Sequence, residues 1–301
     1  MRLIVKKRDG STLTELTLAD DAKVSDVTAA IHKAKPKYYP SRQRLTFDKG
    51  GKANAKVLET GKSLADYEIK DGDYILFKDL GQQIGWRTVF VIEYLGPILI
   101  HVLLYSLAPV IYGQGFEPTS QQKLTFYLSI AHFAKREYET FFVHRFSLET
   151  MPIYNLPKNC AHYWLSALWI AVVTYRPGFH GVWPVQFNDL GNYFLLFVWA
   201  WAEVSNYATH VTLRNLRPEG SKVRHIPRGY GFNLVSVPNY LFEIVGWIAF
   251  SMLNGSLAAW AFTVLGAAQM YLWAVKKHKR YRKEFGNEYP KGRKILIPYL
   301  L

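Results

Sequence analysis

Five polar residues interrupt one of the most apolar stretches of the chain: Glu203, Asn206, His210, Arg214 and Arg217, spaced three, four, four and three apart. On a helix those spacings put all five on one face. A charge at membrane depth costs several kcal/mol unless it is paired or wet, so such a face turns toward a cavity or a polar seam. Guanidinium binds phosphate through a planar fork of donors, and the chemistry this face offers is the capture of a polyanion. The competing account is a structural seam of hydrogen bonds between helices, with Arg214 and Arg217 at the membrane surface.

Three further segments repeat the pattern. His132, Arg136 and Glu139 share a helical face, and Lys135 can pair with Glu139. Asn239 and Glu243 lie four apart with Tyr240 beside them, and His278, Lys279, Arg280 and Tyr281 follow the last apolar run. Polar faces on four separate helices point to one shared, solvated chamber for an anionic ligand. Other chemistries lack their parts. The nine histidines never fall at the H-x3-H or H-x2-H-H spacing of a membrane di-iron site. Cys160 stands alone, too little for a thiolate cage or an internal disulfide, and no metal is expected. No G-x-G-x-x-G follows a strand, so a Rossmann cofactor site is not expected either.

The elements that must position these groups divide at residue 79. In residues 1–79, MRLIVKK and TLTELTL read as strands around an Asp9-Gly10 turn, and KVSDVTAAIHKAK as a helix burying Val24, Val27, Ala30 and Ile31. RQRLTFD and DYILFKDL read as later strands, the second entered through Asp71-Gly72-Asp73. That order resembles the ubiquitin-like β-grasp. No secretory signal opens the chain, which predicts a cytosolic first domain. In residues 80–301, apolar stretches recur at about 86–112, 122–146, 159–176, 186–213, 238–253 and 256–275. A crossing needs roughly 20 apolar residues. The last two stretches are joined by the turn Asn254-Gly255. The alternative is a soluble protein with buried core helices. The formal charge of +14 concentrates in KKHKRYRKEFGNEYPKGRK, which the positive-inside tendency places in the cytosol. Both termini on one side require an even number of crossings, and about six fit: a multi-pass α-helical membrane bundle behind an N-terminal β-grasp domain. No aromatic platform accompanies the basic tail, so nucleic acid is the weaker partner and a lipid or phosphate the better one.

The run N-x3-H-x3-R-x2-R from Asn206, then RHIPRGYGFNLVSVPNYLFE, then HKRYRKEFGNEYPKGRKILIPYLL resemble the steroid 5α-reductase family. With the β-grasp domain, KREYETFFVHRFS and SVPNY, the likeness narrows to its very-long-chain trans-2-enoyl-CoA reductases, over nearly the whole chain. The resemblance implies NADPH-dependent reduction of a trans-2-enoyl-CoA to the saturated acyl-CoA, the last step of fatty acid elongation. It implies an endoplasmic reticulum setting, membrane lipid around the bundle and other elongation enzymes as partners. For the cofactor it implies Arg136, Asn206, His210, Arg214, Arg217, Arg224, Asn239, Glu243, His278 and Tyr281. His210 stands where the family often has aspartate, and Phe133 where the steroid-reducing members have tyrosine. The acid is then Tyr240 of the PNY motif, with Lys135 beside it. The rivals are a family reductase acting on a sterol or polyprenol, a membrane methyltransferase with a related helical core, and a transporter or scaffold.

Overall fold

A computed structural model describes residues 1–48, 55–113, 116–146, 148–181, 189–217 and 223–300. The chain forms two compact units, Met1–Trp86 with Leu148–Leu156, and Arg87–Ser147 with Pro157–Leu301.

The first unit is a five-stranded sheet: β1 (Arg2–Lys7), β2 (Thr12–Thr17), β3 (Gln43–Phe47), β4 (Lys56–Val57) and β5 (Tyr74–Asp79), in the order β2-β1-β5-β3-β4. β1 is parallel to β5 and antiparallel to β2, while β3 is antiparallel to β5 and β4. Period-two alternation explains the strands: Leu3 and Val5 are buried, and Ile75 and Phe77 meet them in the core. The helix α1 (Val24–Ala34) buries Val24, Val27 and Ile31 in that core; Thr28 is buried too, and Ala30 only partly. Gly10 and Gly72 make their turns at φ +87 and +83, where a side chain would be strained. Arg42 closes the lower edge on Asp79 with donors at 2.5 and 2.7 Å. A two-stranded ribbon, β6 (Gln83–Gly85) with β7 (Thr150–Pro152), also belongs to this unit.

Among the described residues the second unit holds six helices: α2 (Trp86–Tyr112), α3 (Ser120–Phe142), α4 (Leu156–Thr174), α5 (Asp189–Asn215), α6 (Pro238–Asn254) and α7 (Leu257–Phe285), the first residues of α2 and α4 falling in the first unit. Each corresponds to one predicted apolar stretch; residues 186–188 of the fourth lie outside the described residues. Among the described residues two helices are long and apolar enough to cross a membrane, Trp86–Tyr112 and Leu257–Glu288. The polar faces of α3 and α5 dilute their hydropathy, and α6 is only 17 residues long. The outer surface is apolar, with Leu99, Leu103, Val110, Phe194, Phe197, Leu265 and Leu272 all exposed.

The helices run alternately up and down, and hydrogen bonds pin one end. Asn254 Nδ2 donates to Thr125 Oγ1 (3.1 Å) and Thr174 Oγ1 (2.9 Å), joining the ends of α6, α3 and α4. Gln122 Nε2 donates to the carbonyls of Thr174 and Arg176. Gly255, at φ +72, ends α6, and Ser256 Oγ accepts from Ala259 N to open α7. Along the shaft, Gly96 lets α2 approach Trp164, whose Nε1 donates to Ile92 O at 3.1 Å.

Candidate active site

At the other end of the bundle the polar faces meet in two buried networks. In the first, Glu139, wholly buried on α3, receives Arg136 at 2.5 Å and has His210 Nδ1 of α5 at 3.0 Å. Arg136 also donates to Tyr94 Oη of α2 at 2.9 Å, and its guanidinium lies 5.1 Å from that ring's centre. Both oxygens of Glu139 are engaged, so the charge is compensated where it is buried. Glu139, His144 and His210 hold potential ligand atoms within 4.8 Å of one another. A dication there would meet the Arg136 guanidinium already on Glu139. His144, just past α3, has its Nε2 4.0 Å from Glu139 Oε2.

In the second network, Glu203 of α5 takes His132 Nδ1 and Lys135 Nζ of α3, each at 2.7 Å. His132 Nε2 faces Glu243 Oε1 of α6 at 3.4 Å, and Glu243 also accepts from Trp247 Nε1. Lys135 Nζ donates to Asn206 Oδ1 at 2.7 Å, and Asn206 Nδ2 donates to the Asn239 carbonyl at 2.9 Å.

Beside Asn239 opens a cavity of about 170 Å³, lined by α5, the loop before α6, and α7. Arg217, Arg224, Lys277 and Arg280 face it with Tyr281, and no carboxylate is among its described lining residues. Asn239 is buried, and its Oδ1 has no partner among the described residues. Ser236, on the wall, contacts His278 Nδ1 and Tyr289 Oη, both at 2.6 Å. Cations without acids beside an unsatisfied buried amide make a site for a phosphate-bearing ligand with hydrogen-bonding groups.

Residues 149–301 match the family described as 3-oxo-5-alpha-steroid 4-dehydrogenase. The chain belongs to that family. A Schizosaccharomyces pombe relative named as an enoyl reductase is 51% identical over 86% of this chain and 86% of its own. The very-long-chain enoyl-CoA reductase of Dictyostelium discoideum is 49% identical over 82% of this chain and 80% of its own. The mouse trans-2,3-enoyl-CoA reductase-like protein is 34% identical over 97% and 82%.

Within this family member ten of the twelve predicted residues fall into three groups. Arg217, Arg224, Asn239 and Tyr281 line the cavity, and His278 sits behind Ser236. Arg136 and His210 belong to the Glu139 centre, and Lys135, Asn206 and Glu243 to the Glu203 network. Tyr240 lies at the start of α6 with Lys277 Nζ 4.5 Å over its ring and Trp273 beside it. Arg214 is exposed near the end of α5. Sequence reasoning placed Glu203 and Arg280 on polar faces without a specific role, and gave none to His225, Lys277 or Arg145, which exchanges guanidinium-to-carbonyl bonds with Arg217. Lys277 was within reach, one helical turn before Tyr281. Phe232 and Ser236 were not, because a loop wall has no periodicity.

Proposed function

We propose that the chain reduces very-long-chain trans-2-enoyl-CoA to the saturated acyl-CoA with NADPH. The observation that carries this is the cation-lined cavity, with no carboxylate among its described lining residues, bordered by Asn239, the residue next to Tyr240. The names and coverage of the relatives support it.

Arg217, Arg224 and Arg280 would hold the cofactor's phosphates, Tyr281 and Asn239 its sugars and amide. A reduced nicotinamide supplies a hydride, which the β-carbon of the enoyl thioester accepts. Tyr240 Oη delivers a proton to the α-carbon as the thioester oxygen sheds its enolate charge, and is recharged from the cytosolic medium. Lys135 completes the catalytic pair that the resemblance assigns, and reaches the start of α6 through Asn206.

The exposed apolar exterior supports six crossings with both termini cytosolic, in the endoplasmic reticulum, where a lipid-borne acyl chain would enter from the side. The sheet order supports a ubiquitin-like β-grasp domain over residues 1–79 that docks other elongation enzymes.

The test is purified protein in lipid nanodiscs, given a long-chain trans-2-enoyl-CoA and NADPH. Loss of enoyl absorbance coupled to NADPH oxidation, lost in Tyr240→Phe with NADPH still bound, is expected. NADPH oxidation with a sterol or polyprenol enone and none with the thioester would overturn the substrate. Undiminished turnover in Tyr240→Phe would remove Tyr240 as the acid.

A further inference from the structure

The second buried network contains a residue whose placement exceeds what packing requires. Glu203 is 13% exposed at its side chain and holds His132 and Lys135 at once, each at 2.7 Å. Lys135 is thereby drawn toward α5, although Glu139, one turn along its own helix, is also within 3.8 Å. Seated against Glu203, the ammonium group donates to Asn206 Oδ1, which fixes the amide so that Nδ2 points at the Asn239 carbonyl. That carbonyl belongs to the peptide joining Asn239, on the cavity wall, to Tyr240. The opposite arm of Glu203 runs through His132 to Glu243, one turn further along α6. Two chains of contacts therefore leave one carboxylate and grip α6 at consecutive turns.

We infer that Glu203 is a positioning residue: acting through Lys135 and Asn206, it locks the Asn239–Tyr240 peptide, and so the reacting phenol, against the cofactor cavity. This rests on the reading of Tyr240 as the acid. Glu203 touches neither ligand nor cavity wall, and its effect passes entirely through the side chains it holds. Without its charge, Lys135 is free to turn to Glu139, Asn206 loses the donor that orients it, and the first turn of α6 loses a tether.

The experiment uses full-length protein in nanodiscs with three variants, Glu203→Gln, Lys135→Gln and the double variant, with turnover counted per NADPH-binding site by fluorescence titration. Glu203→Gln is expected to lower kcat at least tenfold while changing the NADPH dissociation constant less than threefold. The double variant is expected to be no slower than Lys135→Gln alone, because the two residues form one path. Wild-type turnover per site in Glu203→Gln, or a double variant that multiplies the two single losses, would overturn the inference. Amide hydrogen exchange at residues 239–243 reads the tether without turnover: faster exchange in Glu203→Gln is expected, and unchanged exchange overturns the assignment. Should Glu203→Gln not fold, Asn206→Ser cuts the same path with the buried charges intact and must give the same faster exchange. If wild-type protein reduces no enoyl thioester, the function falls and the exchange experiment still decides the tether.

Discussion

One arginine of the cavity already holds an acid, and that competition has a measurable sign. Arg217 faces the cavity half-buried, with Nη2 donating to a backbone carbonyl at 3.2 Å. Arg224 faces the same space but donates to Glu284 at 3.0 Å, with both side chains a little over a third exposed. A charge-assisted hydrogen bond to a ligand phosphate contributes about 1.5–3 kcal/mol, which is roughly 10- to 150-fold in affinity. Arg217→Gln should raise KM for NADPH by that factor. Arg224 must leave Glu284 to bind, and an exposed pair is worth only about 0–1 kcal/mol, so its net contribution to affinity is smaller by that amount. Arg224→Gln should therefore raise KM by less than that full factor, and Glu284→Gln should lower KM by up to about fivefold, since the competitor is gone. Steady-state kinetics at fixed, near-physiological ionic strength measures all three. A rise in KM for Glu284→Gln would refute the competition and with it the assignment of this cavity to a phosphate-bearing ligand.

Two predictions concern the framework. Alanine is a better helix former than glycine by about 1 kcal/mol, yet Gly96→Ala should destabilise, by about 1–3 kcal/mol, because its methyl would overlap the Trp164 indole; thermal unfolding in detergent reads the sign. In the sheet unit, the Arg42 hydrogen bonds hold the Asp79 carboxyl below the ordinary carboxylate range, against the opposing effect of burial. A depressed folded value means that stability is gained above the unfolded value of about 4 and lost as pH falls through the folded one. Exchange protection of the β3 and β5 amides should drop below about pH 4 in the wild type, and Asp79→Asn should remove that dependence.

How far the sequence speaks depends on how local the signal is. Period-two runs gave β1 and β5, and the apolar stretches gave six helices with bounds close to those observed, because burial on one face is written into neighbouring residues. The ribbon of Gln83–Gly85 and Thr150–Pro152 was invisible: three-residue strands paired across a whole helical hairpin carry no periodicity of their own. The same limit applies to the site. The face from Glu203 to Arg217 was legible as a single stripe, but its division was not. Asn206 turns to α6, His210 to Glu139 of α3, and Arg217 to the cavity, choices made by whichever helix packs opposite each turn. Lys135 shows the point most simply: at four residues' spacing Glu139 was its evident partner, yet Glu203, distant in sequence, lies 2.7 Å away against 3.8 Å.

Charge balance separates what holds this bundle together from what it binds. Arg136 answers Glu139, Lys135 answers Glu203, and His132 bridges Glu203 and Glu243. Breaking such a buried pair strands the remaining charge in low dielectric, a loss of about 3–5 kcal/mol. The cavity between α5 and α7 differs, since Arg217, Lys277 and Arg280 converge there with no acid among its described lining residues, and Asn239 Oδ1 at its edge has no partner among the described residues. Convergent cations repel, and an anionic ligand would offset that cost. On the proposed function, a phosphate-bearing cofactor would bring that negative charge.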